Sequence, residues 1–169
     1  MDVKRKIKDM IREMYQLKPL IACTSGRASD MISTYLVVKK YSIEGETNEI
    51  LRNLFYKIGV ENATVLWYGV SLSAIPAFYT LSKLINVIVD KATRKSIPIW
   101  KEFYNGLMYG YSLASFYTSV NNFLVFLGLP HTFADVAQIF GGIASALPVS
   151  LYGIKVYRNL KAMQSKLCH

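Results

Sequence analysis

Apolar positions in this chain gather into four long blocks, over about 20–38, 63–89, 107–127 and 133–156, and the charges lie mainly between and outside them. At about 1.5 Å per helical residue, such blocks match a hydrocarbon core of about 30 Å. Ahead of the first block, Ile7, Met10, Ile11, Met14 and Leu17 recur at three- and four-residue steps, a helical stripe. Lys4, Arg5, Lys6, Lys8, Arg12 and Lys18 charge the rest of that segment, and Lys18-Pro19 is expected to end it. A basic amphipathic helix beside a span lies on an anionic cytoplasmic leaflet or packs on the rest of the protein as a solvated helix, and the pattern fits both. Between the first two blocks, Ile50, Leu51, Leu54, Phe55 and Ile58 also repeat at helical spacing. Thr47 or Asn48 can cap that helix, and Gly59 is a natural stop. The predicted fold is all-α: a single domain, 1–169, forming a four-helix transmembrane bundle. An amphipathic helix precedes the bundle, and a short interfacial helix joins spans 1 and 2.

Small residues supply packing ridges within the spans. Gly69, Ser73 and Ala77 are four apart in span 2, as are Gly106, Gly110, Ala114 and Thr118 in span 3; Gly142 and Ala146 serve span 4. Pro76 and Pro148 should kink their helices. Trp100, Phe103 and Tyr104 read as an aromatic belt where the chain re-enters the bilayer. Gly128-Leu129-Pro130-His131 is short enough to make spans 3 and 4 an antiparallel hairpin.

Composition strengthens the membrane reading: 52% of residues are hydrophobic and 18% are charged, where a soluble domain carries about 25%. The mean hydropathy is +0.23. The segment before span 1, the second loop (Lys91, Arg94, Lys95, Lys101) and the tail (Lys155, Arg158, Lys161, Lys166) are basic. The first loop balances Lys39, Lys40, Arg52 and Lys57 against Glu44, Glu46, Glu49 and Glu61. The positive-inside rule then predicts a multi-pass protein of the cell membrane with both termini cytoplasmic. A net charge of +9 would suggest nucleic acid in a soluble protein, but these cations flank apolar blocks and do not interleave with aromatics. The expected partners are membrane lipids and other membrane subunits or a second copy, with no nucleic acid. A polar helix follows Met1-Asp2-Val3-Lys4-Arg5-Lys6, so no cleavable signal peptide is expected. The Ile, Lys and Tyr content suits a thermophilic archaeon.

The unusual chemistry lies in span 1. A charge inside a bilayer costs several kcal/mol on many scales, roughly 2.5–3.5 on the mildest, so Asp30 needs a reason to be there. Arg27, one turn earlier, can pair with it. Gly26, Asp30 and Thr34 share one ridge; Ser25, Ser29 and Ser33 form the next. The candidate polar cluster is Arg27, Asp30, Thr34, Glu46, Asn48, Asn121 and Asn122. It reads functionally as a site for an ion, a proton or a lipid headgroup, and structurally as an ion pair with helix-bridging amides. His131 and Asp135 have one-face spacing but no third ligand, and neither Cys23 nor Cys168 belongs to a CxxC pair, so no metal is expected. No nucleophile elbow or phosphate-binding glycine loop occurs, and no catalytic residue or cofactor is assigned. The 12 tyrosines, among them Tyr109, Tyr111, Tyr117, Tyr152 and Tyr157, suit interfacial anchoring and interhelical hydrogen bonds.

Asp30 with Ser33-Thr34, then Glu46-Thr47-Asn48, then Gly59 and Asn121 or Asn122, resemble the motifs of an uncharacterised family of small prokaryotic and archaeal integral membrane proteins, a domain of unknown function. The likeness covers about residues 26–127. That family carries an Asp followed by a Thr pair in span 1, an acidic-x-Asn-Pro motif opening a short helix, and an Asn in span 3. Here Glu49 stands in place of the proline, and no lysine follows Gly59. The resemblance implies topology and no established activity. Three functions follow as expectations: a non-enzymatic structural or accessory subunit of a larger assembly or homo-oligomer; a small transporter or ion channel using the Asp/Glu/Asn cluster; and a membrane enzyme acting on lipid, with Asp30 and Glu46 as its acid/base pair.

Overall fold

A computed structural model describes residues 3–46, 48–93, 96, 99–129, 146, 150–154, 157–158 and 161–162. Every regular element among them is helical: α1 (Val3–Met14), α2 (Leu17–Tyr41), a 3-10 turn (Ile43–Gly45), α3 (Glu49–Ile58), α4 (Val60–Ser71), α5 (Ala74–Thr93) and α6 (Trp100–Phe126). The chain breaks at Tyr15-Gln16 rather than at Lys18-Pro19. Pro19 sits in the first turn of α2, where a missing N–H removes no intrahelical bond. The helix after the first loop forms as expected. The Asn48 side chain accepts from Leu51 N at 3.2 Å, and Gly59 ends α3 at φ +83°, a conformation that favours glycine.

The second apolar block is interrupted as Pro76 leads one to expect, and the interruption divides it into α4 and α5. Pro76 offers no N–H to the Leu72 carbonyl and its ring crowds that oxygen, so the ladder breaks one turn upstream, at Leu72-Ser73. Ile75 N closes a tighter turn on Leu72 O at 3.0 Å instead. Together Val60–Lys91 form a 32-residue stretch, the one among the described residues that is long and apolar enough to cross a membrane. The polar content of α2 and α6 leaves both below that measure, and most of 133–156, with Gly142, His131 and Asp135, lies outside the described residues.

α2 and α6 run side by side and parallel: Ala22 meets Ser112, Ser29 meets Ser119, Thr34 meets Asn122, and Lys40 meets Phe126. α4 runs antiparallel to α2, with Tyr68 near Thr24 at one end and Glu61 on Lys39 at the other. α5 runs antiparallel to α6. Two apolar clusters fill the spaces between helices. One joins Cys23, Ile75, Tyr79, Trp100, Tyr104 and Met108; the other joins Val38, Leu51, Phe55 and Ala63. Trp100 and Tyr104 are therefore buried core residues and not a membrane-facing belt. Being four apart, they share the face of α6 turned to Tyr79, whose ring meets both edge-on. Tyr111 also turns inward, against Phe78.

The packing ridges depart from expectation as well. A strict four-residue repeat drifts by about 40° per step around a helix. Along α6, Gly106 and Gly110 are buried, Ala114 is half-buried and Thr118 is exposed, and the face that follows α2 is instead Ser112, Ser115, Ser119 and Asn122. Gly69, Ser73 and Ala77 point away from the bundle, with nothing within 4 Å of a Cβ built on Gly69. Ala146 is exposed too. Polar side chains share the interior with the apolar clusters: Asp30, Ser33, Thr34, Ser112, Ser115 and Ser119 are buried, whereas Ile32, Val65, Val87, Ile88, Val120 and Phe123 are exposed.

Candidate functional site

Close approach of α2 and α6 sets the site. A Cβ on Gly26 would lie 2.8 Å from the Ser112 carbonyl oxygen, so only glycine permits this crossing. At that distance serine hydroxyls reach across: Ser112 donates to Ala22 O at 2.5 Å, Ser119 donates to Ser29 O at 3.1 Å, and the Ser29 and Ser119 hydroxyls share a bond of 2.7 Å. Asn122 donates to Thr34 Oγ1 at 2.9 Å and to Ser33 Oγ at 3.3 Å. Lys40 closes the seam by donating to the Phe126 carbonyl at the C-terminus of α6, an acceptor it shares with the Tyr41 hydroxyl at 3.4 Å.

Arg27 and Asp30 sit on the seam as expected from their spacing. Arg27 Nη1 lies 2.5 Å from Asp30 Oδ2, with side-chain exposures of 11% and 6%, so the pair is shielded from solvent. The guanidinium also reaches Ser115 Oγ at 3.4 Å and stands over the Tyr111 ring at 5.4 Å. Its Nε is buried and has no hydrogen-bond partner among the described residues.

Beside this pair, between α2, α4, α6 and the start of α3, lies a cleft of about 340 Å³. Arg27, Asp30, Thr34, Glu46, Asn48 and Asn122 all line it, with Met31, Leu51, Trp67 and Thr118. Asn121, half-buried, does not. Glu46 is near enough for its negative charge to act on Asp30. Its Oε1 accepts from Asn48 N at 2.7 Å, so the Glu46-x-Asn48 pattern has a local role: it ties the turn that starts α3. Asn48, Asn122 and Asp30 thus each have a partner within the chain. Among the described residues no three His, Cys, Asp or Glu side chains converge as metal ligands.

Four side chains that join the helices of the seam and its neighbours are not legible in the sequence. Ser115 and Ser119 are two of them, because serines at three- and four-residue steps carry no signal without the partner helix. Asn86, on α5, accepts from Ile99 N at 2.9 Å and Trp100 N at 3.1 Å and so caps α6 across a 13-residue separation. Glu13 accepts from Lys83 Nζ at 2.9 Å and from the Tyr79 hydroxyl at 3.0 Å, fastening α1 to α5. Comparison with protein families, curated proteins and solved structures finds no match for this chain.

Proposed function

We propose that the chain is a non-enzymatic, multi-pass integral membrane protein that serves as a structural or accessory subunit, in a larger assembly or with copies of itself. The apolar outer faces of the long helices carry this reading, together with the polar seam between them. Large apolar side chains such as Val65, Leu84, Val87, Ile88 and Phe123 stand exposed, while a serine, threonine and asparagine seam and an ion pair are buried between α2 and α6 beside the apolar clusters, which suits lipid as the surrounding solvent. Only 17% of the apolar window in Val60–Lys91 is buried, whereas a core helix of a soluble protein would be mostly covered. In this reading α2 and α6, 25 and 27 residues long, are spans 1 and 3. At about 1.5 Å per residue they reach past the hydrocarbon thickness. Their parallel course, with α4 and α5 antiparallel, agrees with alternate crossings. Both termini then face the cytoplasm, and 133–156 forms the fourth span. Local partners for Asp30, Asn48 and Asn122 support a structural use of the polar cluster. The likeness to the uncharacterised membrane family belongs to the same proposal.

Two measurements test it. The protein should stay in the membrane pellet after an alkaline carbonate wash; release to the supernatant overturns membrane integration. Gentle extraction from its own membrane should give a native mass well above the 19.1 kDa of the chain, with other polypeptides or further copies present. A lone monomer overturns the subunit reading.

A second reading is favoured by one observation, the 340 Å³ cleft whose lining brings Arg27, Asp30, Glu46, Asn48 and Asn122 together. A cleft of that size lies within the range of small-molecule sites, about 300–1,000 Å³. It would make the protein a small carrier or channel for a polar or charged solute.

A further inference from the structure

The helix least engaged with the bundle is α1. Of the described side chains in its apolar stripe, Met14 packs on the core cluster, whereas Ile7, Met10 and Ile11 are 48%, 42% and 47% exposed. Glu13 lies off that stripe, and its bonds to Lys83 and Tyr79 fasten α1 by its polar side. Tyr104 adds a hydrogen bond to the Met14 carbonyl. The tether therefore holds the C-terminal end of the helix while leaving its apolar face uncovered. Lys4 and Lys8 flank that face on one side and Lys6 on the other, with Arg5 and Arg12 behind. At the tether, Lys83 Nζ stands 3.4 Å over the Trp100 ring, and Lys101 Nζ lies 5.6 Å from the same ring.

We propose that α1 is a lipid-binding arm whose surface partner is an anionic leaflet of the membrane that holds the bundle. This rests on the integral-membrane reading above and adds the lipid class. Charge complementarity selects the occupant. A stripe of three exposed apolar side chains buries little by itself, whereas lysines on both flanks place their ammonium groups at headgroup level while the stripe enters the acyl boundary. Each cation near such a surface adds attraction of about 1 kcal/mol. A protein partner for the face would need no basic flanks. The tether fixes the arm where α2 begins, so α1 lies at the membrane surface when α2 crosses it.

The test is hydrogen–deuterium exchange of the full chain in lipid nanodiscs, either of phosphatidylcholine alone or with about one third phosphatidylglycerol. The amides of 3–14 should exchange about tenfold more slowly with the anionic lipid, and high salt should abolish the difference by screening. Replacing Lys6→Glu, Lys8→Glu and Arg12→Glu together should remove that dependence while the amides of α2 and α6 stay protected. Equal exchange of 3–14 in both lipids, with α2 and α6 protected, overturns the arm and leaves the membrane reading standing. Failure of the protein to remain in nanodiscs overturns the membrane reading itself. Slow exchange in both lipids that the triple variant leaves unchanged assigns α1 to a packed position and also overturns the arm.

Discussion

Asp30 and Arg27 form an ion pair that the rest of the seam is built around. Removing one partner from a buried pair leaves the other charge without compensation and costs about 3–5 kcal/mol. Asp30→Asn should therefore lower the thermal midpoint of the protein in detergent and reduce its yield. Arg27→Met with Asp30→Leu, which removes both charges, should recover most of the loss. If Asp30→Asn instead folds and assembles normally but abolishes uptake of a solute, the carrier reading replaces the structural one. Gly26 is the other residue on which the seam depends. With the Ser112 carbonyl 2.8 Å from a Cβ, Gly26→Ala must push α2 and α6 apart. Overpacking of that kind costs about 1–3 kcal/mol, read as the same thermal shift.

At the level of helices, the contact between α1 and α5 has a defined dependence on pH. Burial at the junction works to raise the Glu13 carboxyl, but bonds from Lys83 and Tyr79 and the charges of Lys83 and Lys101 outweigh it and hold it below its ordinary value of 4.5. A carboxylate depressed in the folded state contributes stability that is complete above the unfolded value and is lost as pH falls through the folded one. Acidification below about that ordinary value should thus release α1, seen as faster amide exchange over 3–14, while α2 and α6 stay protected. Glu13→Gln should remove this acid response. The break between α4 and α5 has a separate cause, the missing donor and the ring of Pro76.

For the whole molecule, the decisive surface is the outward ridge of Gly69, Ser73 and Ala77. Gly69 is exposed and a Cβ built on it has nothing within 4 Å, so Gly69→Leu should leave the thermal midpoint of the monomer in place. If the protein docks other spans through close helix contact, the same change should lower the native mass of the extracted assembly. An unchanged assembly would place the docking surface elsewhere.

Periodicity and composition by themselves determined the helical class, the amphipathic α1, the capped α3 with its Gly59 stop, and the pairing of Arg27 with Asp30. These depend on neighbours within a turn or two, and local sequence specifies such neighbours. The same reading grouped Asp30, Thr34, Glu46, Asn48 and Asn122 in one polar cluster, with Asn121 among them, but the cleft that joins the first five and leaves Asn121 out is a product of tertiary structure. It requires α2 and α6 to run parallel and the turn before α3 to fold back beside them. Tertiary packing alone decided which of two small-residue stripes on α6 faces inward. A four-residue ridge and a mixed three-and-four serine ladder look alike in sequence, and only the second stays on one face over several turns. It also turned Trp100 and Tyr104 into core. An aromatic side chain is equally at home at an interface or in a helix crossing, and the partner helix chooses between them.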